Sequence, residues 1–330
     1  MARVGIIGRG WGERAQAPNF RDAGLEIAGI AGHDGWQKIL GGNAEVVTIV
    51  TPPSTHLEIA TAALEAGKHV ICEKPTAMDA DQGQKLVAAA AAHPKQIAII
   101  DHELRFLPSF RAARERIGEI GAVRYAEVRY ASPSRGDRSR PWNWWSDASQ
   151  GGGVWGAVGS HYVDALRFLG MEIESVQALL STIIGERSGK KVTADDFASV
   201  HLRLHGGAVA AMTFSAVASG PDEPTALTIH GENGSFRLTG EALLFAPPRG
   251  AFSRIAGDDL QQRPGNSPGG AFGTGTYRLG LALERALDEG DRGALAPAAT
   301  FADGLIQQKV LDAARRSQRE GGRWVEVADS

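Results

Sequence analysis

Two short segments carry side chains that can polarise an oxygen or exchange a proton. Glu73-Lys74-Pro75 follows the apolar run 69–72, and His161 lies inside the glycine-rich segment 151–164. A lysine ammonium can stabilise charge on a reacting oxygen, and an imidazole can accept or donate a proton near neutral pH. Taken alone, each has a structural alternative, because Lys74 could be a surface lysine and His161 a buried histidine with satisfied nitrogens.

A glycine-rich turn near the N-terminus suits a diphosphate. Residues 8–12, with glycine at three alternate positions, follow the predicted strand 3–7 and precede the predicted helix 13–23. Glycines let the backbone approach a pyrophosphate, and free N–H groups at a helix start attract its negative charge. Glu13 occupies the sixth position of Gly-x-Gly-x-x-Gly, so the match is incomplete. The turn predicts a nicotinamide dinucleotide site, NAD or NADP, with a tight turn that binds nothing as the alternative.

The end of the second predicted strand, 25–31, normally reads the adenosine ribose. An acidic residue there would bond the ribose hydroxyls and repel a 2′-phosphate. This sequence has His33, and its first carboxylate is Asp34. The pattern leans toward NADP, with His33 and Arg9 near the phosphate, but leaves NAD open.

Two further segments, 51–56 and 73–75, follow the third and fourth predicted strands, 45–50 and 69–72. They lie on the side where ligands of open α/β sheets bind. We expect them to complete the cofactor site. The predicted cofactor residues are Gly8, Arg9, Gly10, Trp11, Gly12, His33, Thr51, Pro52, Pro53, His56, Glu73 and Lys74.

The segment 151–164 follows a tryptophan-rich loop that contains Trp142, Trp144 and Trp145. We expect a helix that is capped by Gly159 or Ser160, which places His161 in the first turn. The positive end of a helix disfavours imidazolium and keeps a histidine able to accept a proton. The tryptophans suit either a core or a surface on which sugar rings stack.

The order of elements predicts two domains. Residues 1–120 alternate strands and helices, which predicts an α/β Rossmann domain with a doubly wound parallel sheet. Residues 121–330 carry short strands joined by glycine turns, which predicts an α+β domain with a largely antiparallel sheet. We expect helices near 160–169, 276–289 and 301–319 to pack against that sheet, and an irregular loop over 247–275. The open face of the antiparallel sheet predicts a homo-oligomer, a dimer or tetramer.

Composition excludes several classes of protein. The net charge is −3, from 35 basic and 38 acidic residues, which argues against a nucleic-acid or membrane-surface partner. No run approaches the ~20 apolar residues that span a bilayer, so a cytoplasmic location is expected. Cys72 is the only cysteine, and the nine histidines show no metal-ligand spacing, so no metal site is expected.

Together these motifs resemble the glucose–fructose oxidoreductase/inositol dehydrogenase (Gfo/Idh/MocA) family over nearly the whole chain. The resemblance implies an NAD(P)-dependent oxidoreductase of sugars, polyols or related carbonyls. It implies that Lys74 contacts the nicotinamide ribose and the reacting oxygen, and that His161 handles the proton. We expect a small-molecule substrate seated by Arg105, Trp142, Trp144, His161 or Tyr162. The motifs are the glycines at 8, 10 and 12, Thr51-Pro-Pro-x-x-His56, Gly67-Lys-His-Val-x-x-Glu-Lys-Pro75, His102-x-x-Arg105-Phe-x-Pro108 and Gly151-Gly-Gly to Asp164.

The sequence departs from the family pattern at two points. Ala157 stands where the family has an aspartate four residues before the histidine; Asp164, Asp101 or His102 could replace it. Only the 13 residues 32–44 connect the second and third strands, with room for a helix over 36–40. We therefore expect a more open adenosine pocket and weaker cofactor binding. The alternative is a nucleotide- or sugar-binding member of the family that has lost catalysis.

Overall fold

The computed structural model describes residues 1–220, 225–257 and 267–327. The chain forms two compact units, each assembled from two stretches of sequence. The first unit is Met1–Leu107 with Asp259–Leu305, and the second is Pro108–Asp258 with Ile306–Ser330.

The first unit contains a six-stranded sheet and helices on both of its faces. Its strands are β1 (Arg3–Ile7), β2 (Glu26–Ala31), β3 (Val46–Ile49), β4 (His69–Cys72), β5 (Ala98–Ile100) and β16 (Ala299–Thr300). Its helices are α1 (Ala17–Asp22), α2 (Trp36–Leu40), α3 (His56–Glu65), α4 (Ala80–Ala92) and α7 (Gly270–Asp288). The strand order is β16-β5-β4-β3-β1-β2, in which β1 to β5 are parallel and β16 is antiparallel to β5.

Both faces of this sheet are buried, as the continuous apolar strands predicted. One face packs Val4 and Ile6 against Phe20, and the other packs Ile7 and Val47 with the apolar side of α3. The order reverses at β1, which lies between β2 and β3. Ligands of open α/β sheets bind beyond the strand ends at such a switch point. The prediction of a doubly wound Rossmann domain is confirmed.

The short connection between β2 and β3 can pack closely on the sheet because two strand residues beneath it are glycines. Ile39 of α2 lies directly on Gly5 of β1, where a Cβ atom would overlap its Cγ2. A Cβ on Gly29 of β2 would lie 3.1 Å from the Ile39 Cδ1. The five-residue helix α2 therefore packs close to the sheet. The predicted helix at 36–40 is confirmed.

Two sequence predictions for the C-terminal part are wrong. The helix expected near 276–289 is α7; Leu279 and Leu283 on it join the core of the parallel sheet rather than packing on the antiparallel one. Gly280 permits this packing, since its Cβ would lie 2.7 Å from the Ala23 Cβ. The stretch 247–275 is not one irregular loop, because β15 (Ser253–Gly257) and the first turns of α7 fall within it. Residues 258–266 lie outside the described part of the chain.

The second unit contains a nine-stranded sheet and a separate hairpin. Its sheet strands are β6 (Val123–Ala131), β7 (Ile173–Ser181), β10 (Phe197–Leu204), β11 (Val209–Ser215), β12 (Ala226–Gly231), β13 (Ser235–Leu238), β14 (Ala242–Ala246), β15 and β17 (Val325–Glu326). The hairpin pairs β8 (Glu186–Arg187) with β9 (Lys190–Lys191). Helices α5 (Pro108–Arg116), α6 (Ser160–Phe168) and α8 (Phe301–Arg319, which begins in the first unit) complete the helices of the described residues.

The order of this sheet is β15-β14-β13-β12-β6-β11-β10-β7-β17, and β6 with β11 is its one parallel pair within the described residues. The predicted largely antiparallel sheet is confirmed, although the sequence reasoning missed β7. Leu179 and Val209 on this sheet are 53% and 45% exposed. Oligomerisation through this sheet stays a prediction. No helix in the described ranges has both the length and the apolar character that a membrane crossing requires.

Candidate functional site

The three glycines of the first turn have three different surroundings. Gly8 has φ +130°, and a Cβ there would lie 2.5 Å from the Val50 carbonyl carbon. A Cβ on Gly12 would lie 2.7 Å from Ile6, so this glycine lets the helix pack on β1. A Cβ on Gly10 would meet nothing within 4 Å. The backbone at Gly10 is therefore the part of the turn that an outside group can approach.

This turn presents backbone donors at the switch point of the sheet. The helical stretch begins at Gly10, and its first backbone bond runs from the Glu13 N–H to the Arg9 oxygen, 3.3 Å. The N–H groups of residues 10–12 precede that bond, and such groups have no partner within a helix. Open space at Gly10 and N–H groups at a helix start fit a diphosphate.

The end of β2 carries basic rather than acidic groups close to the turn. The Arg9 Nε lies 3.8 Å from the position of a Cβ on Gly32. His33 follows, with its side chain half exposed, and its Nδ1 lies 3.4 Å from the Asp34 carboxylate. Asp34 itself projects fully into solvent. The prediction that Arg9 and His33 lie near a 2′-phosphate stays a prediction.

His56 links the ends of β3 and β4. It is fully buried, and its Nε2 lies 2.8 Å from the Thr51 oxygen. Its Nδ1 lies 3.1 Å from the Pro75 oxygen and 3.3 Å from the Thr76 oxygen. Burial is the largest influence on the pKa of His56 and lowers it, whereas the backbone oxygens of Thr51, Thr76 and Pro75 raise it. His56 therefore holds the Thr-Pro-Pro and Glu-Lys-Pro segments together, and its predicted cofactor contact stays a prediction.

Lys74 lies directly beyond β4, beside buried carboxyl groups. Its Nζ is 4.0 Å from the Glu73 carboxylate, and its side chain is 16% exposed. Asp101 and Glu103, which follow β5, are also buried, and their carboxyl oxygens lie within 4.8 Å of one another and of Glu73. The peptide between Lys74 and Pro75 is cis. The structure thus places one cation against three acids at the edge where the sheet binds ligands.

Arg105 is held inside the first unit. Its side chain is 7% exposed, and its Nη2 lies 3.4 Å from the Asp303 carboxylate of α8. Asp303 also accepts bonds from the N–H and hydroxyl of Thr300. The part predicted for Arg105 in seating a substrate stays a prediction.

The helix that carries His161 begins earlier than the sequence predicted. Val154 opens it, a π-helical turn covers Trp155–Gly159, and α6 continues without a break. α6 itself begins at Ser160 after Gly159, as predicted, but the π-helical turn precedes it, so His161 does not lie at the free start of the helical stretch. The physical reason is Asp195, whose carboxylate accepts a 2.7 Å bond from the Trp155 N–H and so caps the helix there. His161 itself is 3% exposed.

The other residues predicted around His161 occupy different environments in the second unit. Tyr162 is buried with its ring centroid 5.9 Å from that of Phe214, and burial raises its pKa. Ala157 and Asp164 are both buried in the helical stretch around His161. The half-buried Trp142 donates from Nε1 to the Lys191 oxygen, and Trp144 packs beside Trp145. Their contacts with a substrate stay predictions.

Sequence reasoning missed several residues that shape these segments. Gln16 bonds to Thr48 and to two of the acids beside Lys74, and Asp195 caps the helix of His161. Gln16 and Thr48 lie inside ordinary helix and strand patterns, which gave no signal for them. The signal for Asp195 is a pair of acids between hairpin strands, which is common on protein surfaces.

Comparison with known proteins identifies the family. Residues 33–101 match the model described as oxidoreductase family, NAD-binding Rossmann fold, and residues 110–237 match the GFO/IDH/MocA C-terminal domain. Glucose-fructose oxidoreductase domain-containing protein 2 of Xenopus laevis is 30% identical over 310 residues, which cover 88% of this chain and 79% of that protein. The chain belongs to the Gfo/Idh/MocA oxidoreductase family. Its first unit is the NAD-binding domain of that family.

Two more relatives extend the comparison. An uncharacterized oxidoreductase of Synechocystis sp. is 35% identical over 208 residues, and the match spans 60% of this chain and 56% of that relative. The structure of levoglucosan dehydrogenase in complex with NADH superposes with a TM-score of 0.82 at 25% identity and covers both chains completely. The family fold therefore extends over the whole chain.

Proposed function

We propose that this protein is an NAD(P)-dependent oxidoreductase that transfers a hydride between the nicotinamide and a CH–OH or carbonyl carbon of a sugar, polyol or related small molecule. The observation that carries the proposal is the position of Lys74, directly beyond β4 at the ligand-binding edge of the sheet and paired with Glu73. The family supplies the reaction class, and the open space at Gly10 supports cofactor binding.

The cofactor accepts or donates the hydride. The protein has to bind the cofactor and the substrate, orient them and transfer the proton. In the proposed mechanism, the ammonium of Lys74 stabilises the negative charge that develops on the substrate oxygen. His161 accepts the hydroxyl proton during oxidation and returns it during reduction. Each group is buried enough for its interactions to be stronger than they would be in water.

A sugar-like substrate is the proposed class. Levoglucosan dehydrogenase, a structural neighbour, has been solved with NADH and levoglucosan. In this chain Trp142 and Trp144 offer aromatic faces on which a sugar ring can stack, and Tyr162 and Arg105 offer polar groups. We propose these four residues as substrate contacts.

A non-catalytic member of the family is the second candidate. It is favoured by Ala157, which leaves the position four residues before His161 without a carboxylate. Asp164, which is 1% exposed and three residues after His161 on α6, is the candidate replacement. Activity of the wild-type protein decides between the two.

The experiment is a panel of sugars and polyols with NAD and NADP, followed by absorbance of the reduced cofactor. We expect turnover with at least one substrate, and a loss of about 10²-fold or more in kcat for Lys74→Ala and for His161→Ala. Lys85→Ala, an exposed lysine on α4, is the matched control and should retain its rate. Cofactor binding without any turnover would favour the second candidate, whereas unchanged rates in both variants would remove the proposed roles.

A further inference from the structure

Three carboxyl groups from three positions in the chain meet beside Lys74 with almost no access to water. Glu73 follows β4, Asp101 follows β5, and Glu103 opens the 3₁₀ turn Glu103–Phe106; they are 7%, 0% and 2% exposed. Oxygens of all three lie within 4.8 Å of one another. Three full negative charges in such a space repel strongly and lose their hydration. Something has to neutralise part of this charge.

Gln16 fixes the arrangement of two of these acids. Its Nε2 donates to the Glu73 Oε1 at 3.1 Å and to the Asp101 Oδ2 at 2.7 Å. Its Oε1 accepts a 2.6 Å bond from the Thr48 hydroxyl, which sets the direction of the amide. An NH₂ group therefore points at the carboxylates. Such a donor opposes a metal ion between them, because its hydrogens carry positive charge where the ion would lie.

Burial and mutual repulsion both favour partial protonation of the acids. Burial is the largest influence on each and raises the pKa of Glu73, Asp101 and Glu103. Neighbouring carboxylates raise the pKa of Asp101 and Glu103 further, whereas Lys74 lowers the pKa of all three. The Asp101 Oδ1 is buried and has no hydrogen-bond partner among the described residues. A proton on this oxygen would turn an unsatisfied acceptor into a donor toward a neighbouring carboxylate.

Among the charged groups around the cluster, Lys74 is the cation that lowers the pKa of all three acids. Cys72 lies beneath, and burial followed by Glu73 and Asp101 raises its pKa, so it stays a neutral thiol. His102 lies between two of the acids in the chain, and Arg105 in the same turn is paired with Asp303. On α7, Gly275 packs against Glu103, and Arg278 lies three residues further along the chain.

We propose that Glu73, Asp101 and Glu103 hold two protons between them at neutral pH, so that one shared negative charge holds the Lys74 ammonium in place. These three acids are positioning residues, since they act through Lys74. The consequence for catalysis rests on the proposed function, whereas the sharing of protons does not.

The first test measures unfolding by urea from about pH 4.5 to 8, with full-length protein and no cofactor. A carboxyl that is protonated in the folded state stabilises it at low pH and loses that contribution as pH rises, by up to about tenfold in the unfolding constant per pH unit and proton. Asp101→Asn keeps a donor but cannot titrate. We expect the ratio of wild-type to variant unfolding constants to rise at least about tenfold across this range.

The control is Glu65→Gln, an exposed acid on α3, whose ratio should not depend on pH. If Asp101→Asn does not fold, Glu103→Gln tests the same claim. A ratio that is independent of pH for the cluster variant would overturn proton sharing. Unfolding midpoints that rise with added Mg²⁺ or Mn²⁺ in wild type, but not in the variant, would overturn it in favour of a metal site.

The second test addresses the effect on Lys74 and requires a substrate from the panel. Glu73→Gln removes the shared charge, so the alkaline limb of kcat/KM should move by about one pH unit or more to lower pH. Glu73→Asp should restore part of the shift, which a merely structural role would not predict. An unmoved limb would overturn the positioning role. A protein without turnover still gives the unfolding result, so failure of the proposed function is distinguishable from failure of this inference.

Discussion

Two glycine-rich segments lead into helices in this protein, and their glycines have different structural roles. In the first unit the helix begins at Gly10, where a Cβ would meet nothing within 4 Å. In the second unit it begins at Val154, after Gly152 and Gly153. A Cβ on Gly152 would lie 2.5 Å from the Trp144 oxygen, and one on Gly153 would overlap the Asp195 carboxylate.

The difference lies in what occupies the positive end of each helix. The second helix already has an anion from the protein itself, because Asp195 accepts the Trp155 N–H. At the first helix no side chain within the described residues caps the start. A glycine-rich segment before a helix therefore leaves the helix start open to an outside anion in one unit and serves internal packing in the other. Four experiments test this contrast.

The largest effect is expected from Gly159→Ala in the second segment. Its Cβ would overlap the ring of Trp155, which is fully buried and packs 6.0 Å from Phe214, so the ring cannot move aside. We expect the free energy of unfolding to fall by about 3 kcal/mol. Gly118→Ala, where a Cβ meets nothing within 4 Å, is the control and should change stability by less than ~0.5 kcal/mol. Equal stabilities in urea would show that the packing argument is wrong.

The next effect concerns Asp195 and pH. Burial raises its pKa to about 6, while the Trp155 N–H and Arg315 oppose that rise. A raised carboxyl pKa means that its contribution to stability is present below pH ~4 and is lost as pH rises to about 6. Asp195→Asn still accepts the N–H bond and does not titrate. The variant should therefore gain about 2 kcal/mol relative to wild type over this range. Equal pH dependence of the two unfolding free energies would show that burial does not raise the pKa of Asp195.

A smaller effect is expected for Gly10→Ala in the first segment. The added methyl group meets no protein atom within 4 Å but projects where we predict the diphosphate. We expect the dissociation constant for NADH to rise about tenfold, or ~1.4 kcal/mol, from a wild-type value above ~1 µM. Unfolding should be unchanged within ~0.5 kcal/mol. Calorimetry on the variant and on Gly118→Ala measures this, and equal affinities would remove the contrast between the two segments.

The smallest effect concerns the choice between NADP and NAD. Arg9 lies against Gly32 at the end of β2, where a 2′-phosphate would approach. Because this pair would be exposed, Arg9→Ala should weaken NADPH relative to NADH by about 0.2–1 kcal/mol, and more at low salt. Arg21→Ala on α1 is the control. A variant that weakens both cofactors equally would show that Arg9 does not read the phosphate.

Prediction from the sequence succeeded where the signal was local. The parallel strands of the first unit, the helix at 36–40 and the strand β6 follow from apolar periodicity and glycine turns. The prediction failed for α7, because the pattern of an amphipathic helix does not indicate which sheet its apolar face will pack against. It failed again for the start of the helix of His161, because the capping acid comes from residue 195.

The candidate site divides in the same way. The chain order alone placed Lys74 and Asp101 after neighbouring parallel strands, since such strands end at one edge of a sheet. It did not reveal that Glu103 turns back toward them or that Gln16 bonds two of the acids. Those contacts depend on side-chain directions that packing sets.

By itself, the sequence determined most of the elements, the family and the motifs that carry the candidate site, because periodicity, turns and motifs act over a few neighbouring positions. Only the tertiary structure decided which glycines are open and which are filled, and which acids share one buried space. Those properties depend on distances between residues far apart in the chain, and electrostatic repulsion and steric overlap change steeply with such distances.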